Sequence, residues 1–243
     1  MAPGSDRPSE RRGAARTAVV WDALRAVLDA AGPCDVLDIG GGTGGFAVGV
    51  AELGHRVVVI DPSPDALASL GRRAQEKGVA DRVTASQGDL AGVLDLVGPD
   101  RADVVLCHGV LEVVDDPGAA LQALAGVLRP GGVLSLLVAQ RHAAVIARAM
   151  AGHFGQARSL LDGADDGRAG HRFTHDELTG LVAAAGLQTT AVHAIRVFSD
   201  LVPGSLLDLE PGATQALVEL EQAVAQRPEY LPLATQLHLL ARH

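Results

Sequence analysis

The chain has 243 residues, 48% of them hydrophobic, with 29 acids against 20 bases and a net charge of −9. That length fits one α/β domain with room for a cap or insertion, and the acidic balance, with Lys77 the single lysine, excludes a strongly basic nucleic-acid face spread over the whole chain. No apolar run approaches the roughly 18 residues of a membrane span and the N-terminus lacks the apolar core of a signal peptide, so a cytoplasmic protein with Cys34 and Cys107 as free thiols is expected.

Residues 1–12 (MAPGSDRPSERR) are polar and aperiodic and are expected to form a flexible arm, with a single domain over 13–243. Val20, Trp21, Leu24, Val27, Leu28 and Ala31 fall at helical spacing and predict an amphipathic helix over 17–31. A strand at 36–39, a helix at 46–53 and a strand at 57–60 follow. Ser63 as N-cap and Pro64 at the first helical position then predict a helix to about Lys77, ended by Gly78. Short strands are expected at 82–86 and 103–107. Asp116-Pro117 begins a helix with Leu121, Leu124 and Leu128 on one face, and Arg129-Pro130-Gly131-Gly132 turns it into a strand at 133–138. Such alternation of strand and helix means parallel strands joined by crossover helices. Helical spacing returns over 142–150, and 162–170 (DGADDGRAG) reads as a mobile loop near a substrate mouth. Thr174 and Glu177 make a capping box for a helix to Ala185. A strand at 189–197, a loop and helix over 203–226 and a strand at 234–240 bring the expected strands to seven.

The densest signal lies in residues 36–63, VLDIGGGTGGFAVGVAELGHRVVVIDPS. Gly40, Gly41, Gly42, Gly44 and Gly45 join the first strand to its helix, and Asp61 ends the second strand about 20 residues further on. Glycine permits positive φ and lets a ligand approach the main chain closely. The N–H groups opening a helix attract a negative group, and a carboxylate at the strand end can accept from both hydroxyls of a ribose. These features point to a nucleoside-type cofactor. The glycines leave its identity open, because Gly40, Gly42 and Gly45 fit GxGxxG while Gly40, Gly42 and Gly44 fit GxGxG.

Three further motifs narrow the choice: Asp38 two residues before the glycines, Gly88-Asp89-Leu90 after the third strand, and LRPGGVL at 128–134. With them, the run 36–138 resembles the class I S-adenosylmethionine-dependent methyltransferases. The resemblance implies an α/β, Rossmann-like fold whose seven-stranded, mostly parallel sheet has helices on both faces, with S-adenosyl-L-methionine as cofactor. It places Gly40, Gly41, Gly42 and Gly44 in the cofactor loop, Asp38 at the methionine end, Asp61 on the ribose, Asp89 on the adenine amino group and the Leu90 backbone beside it.

A narrower resemblance extends from Gly13 to the C-terminus. It rests on Gly13-x-x-Arg16-x-Ala18-x-x-Trp21, His108-x-Val110-Leu111-Glu112-x-Val114-x-Asp116-Pro117, Ala151-Gly152-x-Phe154 and Arg196-Val197-Phe198-x-Asp200. In these the chain is similar to the bacterial tRNA 5-carboxymethoxyuridine methyltransferases, which methylate the carboxylate of a modified wobble uridine to its methyl ester. Carried over by motif, Arg16, Gly40, Gly41, Asp61, Gly88, Asp89 and His108 are implied to bind the cofactor, with Arg16 pairing its methionine carboxylate. The chain departs from that family in the acidic 162–170, where the family is lysine-rich, and at Val113, Ala139-Gln140 and Thr235-Gln236. Few aromatic residues remain to stack on a splayed base, namely Phe154, Phe173, Phe198 and Tyr230.

His108 is read as a cofactor contact and candidate catalytic residue, or else as a buried strand-end histidine. A phenol or amine acceptor would call on it as a base, whereas a carboxylate is already ionised at neutral pH. Glu112 and Arg196 are candidate substrate-binding residues, or else a loop polar group and a surface charge. Trp21 is read as a packing residue of the core or of a lid. The other eight histidines are expected at the surface, with no metal site. Residues 139–172 and 200–232 are expected to shape the acceptor site. The leading expectation is carboxyl methylation on tRNA. A small-molecule methyltransferase, a non-catalytic cofactor-binding protein and, more distantly, an NAD-dependent dehydrogenase are the alternatives. Neither membrane nor DNA is expected as a partner.

Overall fold

The computed structural model describes residues 8–161, 170–209 and 212–243. The expected loop at 162–170, except Gly170, and the first seven residues of the expected arm lie outside them. In chain order the elements are α1 (Pro8–Ala31), β1 (Asp35–Ile39), α2 (Ala47–Glu52), β2 (Arg56–Asp61), α3 (Pro64–Glu76), β3 (Val83–Gln87), α4 (Val93–Val97), β4 (Ala102–His108), α5 (Pro117–Val127) and β5 (Leu128–Ala139). There follow α6 (Arg141–Met150), α7 (Phe154–Leu161), α8 (His175–Ala184), β6 (Gln188–Ile195), α9 (Gly204–Leu209), α10 (Ala213–Val224), a 3-10 turn (Pro228–Leu233) and β7 (Gln236–Arg242).

The strands form one seven-stranded sheet in the order β3-β2-β1-β4-β5-β7-β6. Pairing is parallel from β3 through β5, and β7 runs antiparallel between β5 and β6. The glycine loop, Asp61 and His108 therefore emerge together at the C-terminal edge of the parallel strands, where open α/β sheets bind ligands.

Period-two patterning divides the core between the two faces. Val36, Val57, Val59, Val104 and Leu106 pack beneath Leu24 and Leu28 of α1, Val48 and Val50 of α2, and Leu70 of α3. Leu37, Val105, Leu134 and Leu136 point the other way, onto Val93 of α4, Leu121 and Leu124 of α5, and Leu178 and Val182 of α8. The caps form where the sequence signals stand. Ser63 accepts from the Ala66 N–H, Asp116 from Gly118 and Ala119, and Thr174 and Glu177 close their reciprocal box.

Several boundaries differ from expectation. α1 begins at Pro8, inside the stretch read as a flexible arm, because a proline in the first turn forfeits no helical hydrogen bond and Ala14 and Ala15 are strong helix formers. Residues Arg129 to Gly132 do not precede β5 but lie within it, as an irregularity where pairing jumps from Ala102–Leu128 to Val104–Val133. The helix expected within 203–226 is two helices, with Gly212 at φ +89° before the second. The short helices α4 and α7 carry too few residues for their periodicity to be read.

Candidate functional site

β1 delivers the glycine loop at its C-terminal end. Gly40, Gly42 and Gly44 have φ of +67°, +54° and +81°, a region that a Cβ disfavours. Space matters as much as φ: a Cβ on Gly40 would stand 2.3 Å from Val110 Cγ2, and one on Gly41 2.6 Å from Asp38 Oδ2. Asp61 fastens the end of β2 to this loop, since its Oδ2 accepts from the Gly42 N–H at 2.9 Å and its Oδ1 from the Ser63 N–H at 2.9 Å. Each oxygen retains a lone pair for a further donor. Asp38 is buried, and loss of solvent followed by the charge of Asp61 lifts its carboxyl to about 7.

Beside the loop lies a cavity of about 480 Å³ lined by Gly40, Ile60, Gly88, Asp89, Leu90 and Val110, among others, within the size range of small-ligand sites. Asp89 Oδ1 accepts from the Gly92 N–H at 3.0 Å, leaving Oδ2 for a ligand. Four of the expected cofactor residues, Gly40, Gly88, Asp89 and Leu90, thus share one cavity, with Asp61 and Gly42 bonded next to it.

His108 closes β4. Phe46 meets its ring edge-on at a centroid distance of 4.7 Å, and Trp21 stacks on Phe46 at 4.9 Å. Trp21 is thereby a packing residue, fitted against Gly49, where a Cβ would come within 2.7 Å of the indole. Burial lowers the His108 imidazole to about 4, so the ring is neutral at physiological pH. Its Nε2 bonds Ser135 Oγ at 2.9 Å, while Nδ1 is buried without a partner among the described residues.

A second cavity, of about 600 Å³, is lined by parts of residues 139–150 and 196–201, by Arg172 and by the 233–236 segment. Arg148, Arg172 and Arg196 all contribute to its wall. Arg196 sits at φ +61°, bonds Gln236 Oε1 at 3.4 Å and pairs with Asp200 at 2.6 Å. The Nε atoms of Arg172 and Arg196 are buried without partners among the described residues. The Arg16 guanidinium lies 3.3 Å from the Asp200 carboxylate. Glu112 Oε1 accepts at 2.7 Å from the N–H of Ala139, a residue of that cavity wall. Its Oε2 has no hydrogen-bond partner among the described residues, and burial raises the pKa of the carboxyl.

A family model described as a methyltransferase domain matches residues 11–192, and a tRNA 5-carboxymethoxyuridine methyltransferase of Escherichia coli (strain K12) is 32% identical over 95% of this chain and 89% of its own. The chain is an S-adenosylmethionine-dependent methyltransferase. A ubiquinone biosynthesis O-methyltransferase of Xanthomonas euvesicatoria is 37% identical over 53% of this chain and 52% of its own. Among solved structures, an S-adenosylmethionine-dependent methyltransferase from Mesorhizobium loti superposes with a TM-score of 0.63 at 20% identity, covering 93% of this chain and 98% of that one. The cofactor is therefore S-adenosyl-L-methionine, and the glycine cradle, the half-open carboxylates of Asp61 and Asp89 and the unpartnered His108 Nδ1 fit it.

Other features of this methyltransferase escape a reading of the sequence. His55, His193 and His238 are buried, contrary to the surface expected for every histidine but His108, because buried imidazoles satisfy one another and a thiol: His238 and His193 bond each other, and His55 bonds Cys34 Sγ at 3.2 Å. Glu221 is buried and accepts from the backbone N–H groups of Val197, Phe198 and Ser199, so it anchors the loop that carries Arg196 and Asp200. Its helical spacing from Leu217 and Val224 is the signal that places it on an inward face. No helix among the described residues is long and apolar enough to cross a membrane, and no cluster of three or more His, Cys, Asp or Glu residues there is placed to hold a metal.

Proposed function

We propose that the protein methylates the carboxylate of 5-carboxymethoxyuridine at a tRNA wobble position, forming a methyl ester. The observation that carries this reading is the arginine-walled cavity, where Arg148, Arg172 and Arg196 surround a pocket large enough for a base with its substituent and two buried Nε–H groups await an acceptor. A planar carboxylate is the natural partner of such forks. The Escherichia coli relative, a tRNA 5-carboxymethoxyuridine methyltransferase, supports the same choice.

In this reading Gly40, Gly41, Gly42 and Gly44 receive the cofactor, Asp61 accepts from its ribose, and Asp89 with the Leu90 backbone reads its adenine. Asp38 lies at the cationic methionine end, and Arg16 exchanges Asp200 for the methionine carboxylate. When bound, S-adenosylmethionine supplies a methyl group already activated as a sulfonium. The chain's own residues then have two tasks: Arg172 and Arg196 align the acceptor oxygen with that methyl, and Phe46 and Trp21 keep water out. No base is required for an ionised carboxylate.

A small-molecule acceptor is the second reading. The apolar share of the cavity wall (Ile146, Met150, Phe198, Leu201 and Leu233) favours it, as does the net charge of −9. Incubation with isotopically labelled S-adenosylmethionine, bulk bacterial tRNA and a small-molecule extract separates the two. The tRNA reading expects label in tRNA that mild alkali releases. Label confined to the extract would replace it with the second reading.

A further inference from the structure

A continuous file of hydrogen-bonding side chains crosses the sheet from His108 to the surface. His108 pairs in register with Leu137, Leu137 with His238, and His238 with His193, so the three imidazoles stand in one row on the α1 face of β4, β7 and β6. Ser135, two residues before Leu137, shares that face. His108 Nε2 meets Ser135 Oγ at 2.9 Å, and Ser135 Oγ meets His238 Nε2 at 2.9 Å. His238 Nδ1 meets His193 Nδ1 at 3.3 Å, and His193 Nε2 meets the Gln226 side-chain Nε2 at 3.1 Å. Ser135, His193 and His238 are buried, whereas Gln226, just beyond α10, is exposed.

Each link allows one proton, so the direction of the whole file is set at one end. An amide nitrogen can only donate. With Gln226 donating to His193 Nε2, His193 must donate from Nδ1 to His238 Nδ1, His238 from Nε2 to Ser135, and Ser135 from its hydroxyl to His108 Nε2. His108 then carries its single proton on Nδ1, the atom that has no partner among the described residues. A broken link would orphan a buried polar atom at a cost of about 1–3 kcal/mol, which keeps the file in phase. Burial depresses all three imidazoles, and the other two rings further depress His238, so the environment disfavours the charged form of each.

We propose that Gln226, His193, His238 and Ser135 are positioning residues that hold His108 as its Nδ1–H tautomer, making it a hydrogen-bond donor to the bound acceptor or cofactor and not a base. A His108 of this kind suits an acceptor that arrives already ionised. The inference rests on the reading of His108 as a site residue only for this last consequence, since the tautomer is a property of the free protein.

The test is long-range proton–nitrogen correlation spectroscopy on the full chain labelled with nitrogen-15 histidine. The expected protons are on Nδ1 in His108 and His193 and on Nε2 in His238. Gln226→Glu, an exposed change that replaces a donor with an acceptor, is expected at pH 8.5 to reverse the file and move the His108 proton to Nε2. It should also lower kcat roughly 10-fold if the acceptor takes the Nδ1–H bond, or weaken cofactor binding by a similar factor if the cofactor takes it. Ser135→Ala is expected to uncouple His108 from Gln226, so that Gln226→Glu no longer moves its proton. A wild-type His108 protonated on Nε2, or one indifferent to Gln226→Glu, overturns the proposal. Tautomers that reverse in a protein without methyl transfer to tRNA uphold the file and remove only the acceptor reading.

Discussion

Asp200 holds Arg196 by an ion pair of 2.6 Å, four residues along the chain, while Arg196 itself occupies the left-handed region at φ +61°. An arginine there costs roughly 1–2 kcal/mol, and a partly exposed pair returns about 1 kcal/mol at most. The two nearly cancel, so this arrangement serves position and not stability.

Arg196→Gly separates the two contributions. It removes the cation and the strain together, so the melting temperature should move by no more than a few degrees, while KM for the acceptor rises roughly 10-fold or more. Calorimetry and steady-state kinetics on one preparation measure both. A large fall in stability would show that Arg196 is a structural residue.

Asp38 predicts a pH dependence. Its folded pKa of about 7 stands above the 3.8 of an unperturbed aspartate, so between these values the folded chain keeps a proton that the unfolded chain has lost. The Asp38 contribution to stability therefore falls as pH rises from about 4 to 7, by roughly 2–4 kcal/mol. Asp38→Asn should be more stable than wild type in urea at pH 8 and equal to it at pH 4. The same variant should bind the cationic cofactor less tightly, and wild-type affinity should strengthen as pH passes 7. Titration calorimetry across pH reads that second effect.

Gly40→Ala combines φ +67° with a Cβ 2.3 Å from Val110. It is expected to destabilise the fold by about 1–3 kcal/mol and to weaken cofactor binding at least 10-fold. Adding Val110→Ala, which removes the clashing methyl groups, should recover part of the binding; failure to recover any would assign the loss to φ alone.

Glu221→Ala leaves three backbone N–H groups of residues 197–199 without their acceptor. A loss of about 2–5 kcal/mol is expected, together with faster amide exchange at Val197, Phe198 and Ser199. Protection that survives in the variant would exclude Glu221 as the anchor of that loop.

Much of the parallel half could be read from local chemistry. Ser63-Pro64, Asp116-Pro117 and Thr174 with Glu177 start helices where they stand because an N-cap acts within three residues. The glycine loop and Asp61 come together because β1 and β2 are register neighbours, Ile39 opposite Ile60. Apart from Arg196, the arginines that wall the second cavity and the file behind His108 were not legible in that way. Arg148 comes from α6, Arg172 from the segment before α8 and Arg196 from the turn after β6, and Ser135 meets His238 across 103 positions of sequence. The buried histidines look like surface residues until their neighbours in space are known, and although spacing can turn Glu221 inward, the backbone N–H groups that satisfy it are contacts that sequence spacing does not encode.

The placement of β7 sets an order of events during synthesis. Among the described residues β6 has β7 as its one neighbour in the sheet, and β7 fills the space beside β5. Until residues 236–242 have left the ribosome, the nascent chain carries an open hydrogen-bonding edge at β5, in addition to that of β3, and a strand, β6, without its sheet partner. Loop closure over so many residues is slow, and unpaired edges invite association with other chains. β7, made after both strands it joins, links β5 to β6 and brings His238 between Ser135 and His193, so a chain released before it should be not merely inactive but prone to aggregate.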